Sequence, residues 1–253
     1  MKNVRIIPRL DIKGPNVVKP VHAEALRIVG SPEELARRYY EQGADEILYI
    51  DIVASLYQRS LDLEILKNVS RDIFIPITVG GGIQTVREMN NALRAGADKI
   101  AINTQAIRKP KLISEAAKEF GSQCIVLSLD AKRRPNLTWE AYTDGGREPS
   151  GVDAIEWAKQ AIYLGAGEIL VSSIDQDGTL KGYDYALIRE IASIAPIPVI
   201  ACGGASSLES ILLAIDSGAD AIAAASIFHY NDFTIQDVKK FLANKKIGVR
   251  LDP

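Results

Sequence analysis

The feature that most constrains the fold of this chain is an internal repeat at a constant spacing of 122 residues. Four short runs of the first half recur at that spacing in the second half. The recurring pairs are Ala44-Asp45-Glu46-Ile47-Leu48 with Ala166-Gly167-Glu168-Ile169-Leu170, Ile75-Pro76-Ile77 with Ile197-Pro198-Val199, Gly81-Gly82 with Gly203-Gly204, and Gly96-Ala97-Asp98 with Gly218-Ala219-Asp220. A single shared spacing predicts two homologous halves, at about residues 1–122 and 123–253.

Short apolar runs alternate with longer amphipathic segments, which is the pattern of strands alternating with helices. The predicted strands are mainly apolar, as in parallel strands buried on both faces; they cover 4–10, 46–50, 74–79, 99–102, 124–129, 168–172, 198–201 and 221–224. We therefore predict an α/β chain that forms a single (β/α)8 TIM barrel over residues 1–253. An open doubly wound sheet is the alternative, but it gives no reason for a repeat of half the chain.

Composition excludes several classes of function. The formal charge of −2 offers no basic field for nucleic acid or an anionic membrane surface. No apolar run approaches the roughly 18 residues of a membrane span, and the first residues lack the apolar region of a signal peptide. Cys124 and Cys202 both lie in apolar strand-like runs, which favours buried thiols in a reducing cytoplasm.

Two aspartates stand at the ends of related strands. Leu10-Asp11-Ile12-Lys13 follows the first apolar run, and Leu129-Asp130-Ala131-Lys132 follows the fifth. Carboxylates at the carboxyl ends of barrel strands lie in the catalytic mouth, and two from opposite strands can act as acid and base. The structural alternative is that each aspartate caps a loop or pairs with Lys13 or Lys132; the repeat favours catalysis.

Two glycine runs indicate anion sites. Gly80-Gly81-Gly82 ends the third strand and Gly203-Gly204 ends the seventh, beside Asn103-Thr104 and Ala225-Ser226 at the ends of the fourth and eighth. Glycine lets backbone N–H groups approach an anion closely. Because the repeat relates the two sites across one mouth, they predict an elongated ligand with a phosphate at each end; tight turns alone are the alternative.

Further polar residues follow the second and sixth strands: Asp51, and then Asp175, Asp177 and Thr179. They could bind substrate hydroxyls or be solvated loop acids. Carboxylates make a metal site conceivable, but no histidine or cysteine spacing supports one, and we predict no metal. Two long segments, 14–30 with Lys19 and His22, and 132–152, are predicted to be functional loops on the same face.

Charged residues also occur where strands begin, at the opposite end of the predicted barrel. Arg5, Glu46, Lys99 and Glu168 start the first, second, fourth and sixth strands. Two cations and two anions there predict a ring that plugs the barrel axis. From the residues alone, the ring is a stabilising network.

Together these stretches make the chain similar to the cyclase (synthase) subunit family of imidazole glycerol phosphate synthase, over essentially its whole length. The matching stretches include Arg5-Ile6-Ile7-Pro8, Leu10-Asp11-Ile12-Lys13, Val17-Val18-Lys19, Val79-Gly80-Gly81-Gly82-Ile83, Gly96-Ala97-Asp98-Lys99, Ile102-Asn103-Thr104, Asp130-Ala131-Lys132-Arg133, Asp177-Gly178-Thr179 and Ser226-Ile227-Phe228-His229. The isomerase family of histidine biosynthesis shares the repeat and the paired aspartates, but its loops fit less well.

The resemblance implies a lyase subunit without a cofactor that forms a heterodimer with a glutaminase docked at the N-terminal face of the barrel. Ammonia from the glutaminase would reach a bis-phosphorylated ribulosyl formimino aminoimidazole carboxamide nucleotide and yield imidazole glycerol phosphate and aminoimidazole carboxamide ribotide. The resemblance implies that Asp11 and Asp130 are the general acid and base, and that Lys19 closes over the substrate. One phosphate would be held by Gly82, Asn103 and Thr104, and the other by Gly178, Gly203, Gly204 and Ser226. The ammonia gate would consist of Arg5, Glu46, Lys99 and Glu168, and Asp98 would contact the glutaminase.

The chain also departs from the family pattern. Arg9 stands where the family usually has cysteine, and Cys202 where it usually has serine; Pro20, Val53 and Ser206 are further departures. An arginine adds a fixed cation, and lost hydroxyls remove hydrogen-bond donors. The departures leave open a related subunit that passes ammonia to a sugar in surface-polysaccharide synthesis, and a catalytically silent activator of a glutaminase.

Overall fold

The computed structural model describes residues 3–21, 25–57 and 59–251. Eight parallel strands close into a barrel, in which the first strand pairs with the second and the eighth, and the fifth pairs with the sixth. The predicted (β/α)8 barrel is confirmed. The barrel strands are β1 (Arg5–Lys13), β4 (Ile47–Asp51), β5 (Ile77–Gly80), β6 (Lys99–Ile102), β7 (Ile125–Arg133), β10 (Glu168–Ser173), β11 (Val199–Cys202) and β12 (Ala221–Ala224).

Helices connect the strands, and seven of the ten α-helices in the described residues begin at a side chain that caps them. Ser31 accepts a hydrogen bond from the Glu34 N–H, with Pro32 in the first turn, and Thr85 forms a reciprocal box with Glu88. The helices are α1 (Pro32–Glu41), α2 (Leu63–Ser70), α3 (Val86–Arg94), α4 (Thr104–Arg108), α5 (Lys111–Phe120), α6 (Ala154–Tyr163), α7 (Tyr185–Ile194), α8 (Leu208–Asp216), α9 (Ser226–His229) and α10 (Ile235–Asn244), with a short 3-10 turn at Ser122–Cys124. Within the described residues, no helix is long and apolar enough to cross a membrane.

The repeated aspartates before the strands have a structural task. Asp45, Asp98 and Asp220 each accept a hydrogen bond from the first backbone N–H groups of a neighbouring strand, at Ile6, Ile77 and Val199 respectively, all at 2.8 Å. These bonds satisfy donors at the bottom of the barrel. The Gly-Ala-Asp repeat therefore reflects how three of the four quarters of the barrel are closed, since Gly167 stands at the corresponding position of the other.

The interior of the barrel is apolar above its lower end. Inward-facing side chains from five strands form one buried layer: Ile7, Leu48, Val126, Leu170 and Ile200. A larger cluster fills the space between the strands and the helices. Burial of this surface on both sides of the strands holds the eight carboxyl ends at one mouth.

Two predictions about the longer segments need correction. Strands β1 and β7 do not end at their aspartates, since both continue into hairpins that rise above the barrel. Segment 14–30 was predicted to be a loop, but it forms β2 (Asn16–Val21) and β3 (Ala25–Gly30), and Val17 and Val18 are buried. His22 lies outside the described residues. Segment 132–152 likewise contains a hairpin, formed by β8 (Trp139–Thr143) and β9 (Glu148–Asp153).

Strand β5 also begins later than predicted, at Ile77 rather than at residue 74. Pro76 has no N–H to donate to a neighbouring strand, so regular pairing starts after it. Phe74 is left on the surface with 80% of its area exposed.

Candidate active site

A cavity of about 670 Å³ opens at the carboxyl ends of the strands. It contains most of the residues that the sequence predicted for substrate: Asp11, Asp51, Gly82, Asn103, Thr104, Asp130, Asp175, Gly178 and Thr179. A smaller pocket of about 20 Å³ adjoins it and contains the others: Lys19, Gly178, Gly203, Gly204, Ala225 and Ser226. Arg9 and Asp177 line both spaces.

Asp11 is a buried carboxylate between two cations. Its Oδ1 accepts a hydrogen bond from Arg9 Nε at 2.8 Å, and its Oδ2 lies 3.9 Å from Lys19 Nζ. Burial alone would raise the pKa of Asp11, but Arg9 and Lys19 outweigh it, so that the pKa lies below its ordinary value of 3.8. Asp11 is therefore an anion at any working pH.

Asp130 is placed differently. Asn103 Nδ2 donates a hydrogen bond to Asp130 Oδ2 at 2.8 Å. Burial raises the pKa of Asp130, the charges of Asp177 and Asp11 add to the rise, and Arg9 and Asn103 only partly oppose it. Two carboxyl groups whose pKa values are pushed in opposite directions within one cavity can divide the roles of base and acid.

The loop after β5 is shaped for close backbone approach. Gly81 and Gly82 have φ values of +104° and +70°, in the left-handed region that favours glycine. A Cβ at Gly81 would overlap the carbonyl oxygen of Asp51. Thr104 Oγ1 accepts a hydrogen bond from the Asp144 N–H at 2.8 Å, which leaves the hydroxyl hydrogen available to an anion.

The related loop after β11 forms the smaller pocket. Gly203 and Gly204 have φ values of +86° and +102°. Lys19 closes this pocket from β2, with Nζ 3.5 Å from Asp177 Oδ1 and only 6% of its side chain exposed. The two glycine loops thus flank the aspartates. The loop after β5 lines the open cavity, and the loop after β11 is covered by Lys19.

The acids after the second and sixth strands are tied into turns. Asp51 accepts hydrogen bonds from the N–H groups of Val53 and Ala54 at 3.2 and 3.0 Å, and its Oδ2 lies 2.7 Å from Arg59. Asp175 accepts from the Arg133 N–H at 2.8 Å. In the described part of the chain, no group of three or more metal-ligating side chains is close enough to hold an ion.

At the opposite end, the four predicted charges form a closed square. Arg5 contacts Glu46 and Glu168 at 2.6 and 2.5 Å, and Lys99 contacts the same two carboxylates at 2.9 and 2.7 Å. Thr78 also donates to Glu46. The square lies below the apolar layer of the interior, and Asp98 is exposed beside it.

Sequence reasoning missed several contacts around the mouth. Arg59, which pairs with Asp51, gave no signal, because the contact depends on how the loop after β4 folds. His229 lies behind Asp11 with Nδ1 2.6 Å from the Tyr39 hydroxyl, and burial lowers its pKa to about 4. The alternation of Arg5, Ile7, Arg9 and Asp11 along one strand could have shown that Arg9 shares a face with Asp11, but not that it reaches Cys202 on β11.

The barrel, with its candidate site at the carboxyl ends of the strands, defines an enzyme of the (β/α)8 class. The chain belongs to the histidine biosynthesis protein family, which matches residues 5–234. It is 50% identical over 253 residues to "Imidazole glycerol phosphate synthase subunit HisF" of Dehalococcoides mccartyi, across 100% of both chains. The protein of that name in Dictyoglomus turgidum is 48% identical over 248 residues, 98% of each chain. That of Legionella pneumophila is 56% identical over 209 residues, 83% of this chain and 99% of the relative.

Proposed function

We propose that the chain is the ammonia-using cyclase subunit of imidazole glycerol phosphate synthase in histidine biosynthesis. The observation that carries the proposal is the pair of aspartates, Asp11 and Asp130, whose pKa values are displaced in opposite directions in a cavity flanked by two glycine loops. The names of relatives that match along the whole chain support the same reaction.

In this reaction the ribulosyl formimino nucleotide would lie across the mouth with one phosphate at each glycine loop. Gly82, Asn103 and Thr104 would hold one end, and Gly203, Gly204 and Ser226 the other. Asp11, as the permanent anion, would remove protons from the intermediate that ammonia forms. Asp130, the carboxyl group with the raised pKa, would return a proton to the departing carboxamide nucleotide.

The ammonia would enter through the charged square at the bottom of the barrel, from a glutaminase docked on that face. Two aromatic side chains are exposed at this end: Phe74, which precedes β5, and Tyr163, the last residue of α6, with 80% and 90% of their areas accessible. Exposed aromatic residues of this kind often anchor protein interfaces. Asp98 would contact the partner with the carboxylate oxygen that does not cap β5.

Incubation of the purified chain with the formimino ribulosyl nucleotide and excess ammonium salt, at mildly alkaline pH, tests the proposal without a partner. We expect loss of substrate absorbance at a rate on the order of 1 per second. No turnover by the folded protein would contradict the histidine-pathway reaction.

One observation favours a second candidate, an amidating subunit that supplies ammonia to a sugar. Arg9 projects into the mouth between the two glycine loops, and it changes the shape and charge that a ligand meets there. With no turnover of the histidine precursor, activated sugars with ammonium are the next substrates to test. A silent activator would increase glutamine hydrolysis by a glutaminase and turn over neither class.

A further inference from the structure

Arg9 crosses the interior of the barrel. It starts on β1, whose partners within the barrel are β4 and β12, yet its Nη1 lies 3.3 Å from Cys202 Sγ on β11 and 3.5 Å from Ser172 Oγ on β10. Its Nε meanwhile contacts Asp11 at 2.8 Å. A side chain that touches three strands, two of them not adjacent to its own, is held in one place.

Arg9 lies between the buried apolar layer of the barrel interior and the mouth above it. Along β1, the side chains of Arg5, Ile7, Arg9 and Asp11 face inward in turn; Ile7 belongs to the buried apolar layer. Arg9 has 17% of its side chain exposed and lines the wall that the large cavity and the small pocket share. A guanidinium cannot lose its proton in a protein, so this is a permanent charge beside Asp11.

We propose that Arg9 is a positioning residue for the proposed reaction, which orients the Asp11 carboxylate and keeps it charged beside a second buried carboxyl group. The proposal rests on the proposed function for its chemistry, but its physical content is the charge state of Asp11. Without a fixed cation, Asp11 and Asp130 would compete to remain protonated in the same desolvated mouth.

Other charged groups around Asp11 do not replace Arg9. Lys19 is more distant, at 3.9 Å, and also lies 3.5 Å from Asp177. His229 also lowers the pKa of Asp11, but less than Arg9 and Lys19 do, and it is neutral near pH 8 because burial lowers its own pKa to about 4. The nearby carboxylates offer Asp11 no cation: Asp177 and Asp11 together raise the pKa of Asp130, and Asp51 on the neighbouring strand is paired with Arg59.

The test is a carboxyl ¹³C NMR titration of aspartate-labelled protein, in which Asp11→Asn assigns the Asp11 signal. We expect the wild-type Asp11 signal to remain that of the anion as the pH falls through 3.8. In Arg9→Met, which keeps much of the side-chain length without the charge, the transition should move to higher pH. Arg9→Lys should give an intermediate result, because it keeps a cation but cannot fork between Asp11 and Cys202.

Arg37→Met is the matched control, because it removes an arginine from an exposed ion pair with Asp72, far from the mouth. Its Asp11 titration should match the wild type. An Asp11 signal that titrates identically in Arg9→Met and the wild type would overturn the proposal. Should Arg9→Met not fold, Arg9→Gln also removes the charge, and an unchanged Asp11 titration in that variant would overturn the proposal equally.

Kinetics provide the second readout. The ratio of wild-type to Arg9→Met kcat/KM should be on the order of tenfold near pH 8, from lost orientation, and should grow as the pH falls. A ratio independent of pH would show a purely structural role. The NMR titration needs no substrate, so an absence of turnover in the wild type would defeat the proposed function and still leave the role of Arg9 decided.

Discussion

Asp11 and Asp130 occupy corresponding places in the two halves, yet their surroundings make them chemically unlike. Asp11 has a bonded guanidinium, whereas Asp130 has the amide of Asn103. A neutral amide stabilises a carboxylate less than a cation does, and burial acts on both groups. The difference between them arises from the cations beside Asp11, first Arg9 on β1 and then Lys19, and not from the repeat that relates the halves.

The two aspartates should therefore respond oppositely to the same isosteric substitution. Asp130→Asn removes a carboxylate that burial disfavours, and we expect it to raise the free energy of unfolding by about 1 kcal/mol near pH 8. Asp11→Asn leaves Arg9 without its counter-ion, and we expect a loss of about 3 kcal/mol. Urea unfolding of both variants and the wild type measures the difference; equal effects would contradict the assignment of charges.

The pH dependence of these effects has a definite sign. Because the folded-state pKa of Asp11 is depressed, its ion pair stabilises the protein above the unfolded value of about 3.9, and the contribution is lost as the pH falls through the folded value. For Asp130, whose folded pKa is raised, the penalty is absent at low pH and develops as the pH rises from about 4 through the folded value. The higher free energy of unfolding of Asp130→Asn should therefore disappear below about pH 4, where Asp130 of the wild type is protonated.

At the scale of elements, the glycine loops depend on backbone space as much as on sequence. A Cβ at Gly204 would overlap the carbonyl oxygen of Gly182, at a φ of +102°. Gly151 has a φ of +77° and no neighbouring atom within 4 Å of such a Cβ. Alanine at Gly204 would meet both backbone strain and a steric clash, whereas alanine at Gly151 would meet backbone strain alone.

Gly204→Ala should therefore destabilise the protein by about 3 kcal/mol and weaken binding of inorganic phosphate at that loop, whereas Gly151→Ala should lose only about 1 kcal/mol and bind phosphate normally. Urea unfolding and calorimetric phosphate titration measure the two effects. Unimpaired phosphate binding by folded Gly204→Ala would rule out the loop after β11 as an anion site.

The charged square joins strands from both halves, and removal of one corner should be costly. Lys99→Met leaves Glu46 and Glu168, with side chains only 2% and 8% exposed, sharing Arg5 alone. We expect a loss of about 3 kcal/mol, against under about 0.5 kcal/mol for Lys159→Met, whose ion pair with Glu156 is exposed. Similar values for the two variants would mean that the square does not stabilise the barrel.

The elements that sequence predicted best are those that a local pattern determines. Eight apolar runs at a repeated spacing led to the barrel, since buried parallel strands and their capped helices leave clear periodic signals. The hairpin of β2 and β3 was missed because its buried residues, Val17 and Val18, are adjacent and follow no alternating pattern. The pairing of Asp51 with Arg59 and the reach of Arg9 to Cys202 depend on tertiary placement, which no local pattern encodes.

At the scale of the whole molecule, the proposed function assigns separate tasks to the two ends of the barrel. The mouth holds the aspartates and the glycine loops, while the bottom holds the charged square and the exposed aromatic side chains. Phe74 packs only against Tyr40 among the aromatic rings of the described residues, with centroids 6.3 Å apart. Such a surface is suited to a partner and adds little to the stability of the isolated chain.

Phe74→Ser should consequently weaken glutaminase binding by about tenfold or more, a change of at least 1.4 kcal/mol, with little effect on unfolding. Surface plasmon resonance with the glutaminase measures the affinity. Tyr230→Ser, at an exposed aromatic residue that directly follows α9 at the opposite end of the barrel, is the control. An unchanged affinity in Phe74→Ser would exclude this part of the bottom face from the interface.

The most direct test of the account is the ammonium-driven turnover of Asp130→Asn beside the wild type. We expect the variant to fold, bind the formimino ribulosyl nucleotide and dock the glutaminase, but to lose turnover by about 1,000-fold or more, because an amide cannot act as the acid. Turnover by Asp130→Asn at the wild-type rate would contradict the paired-aspartate mechanism.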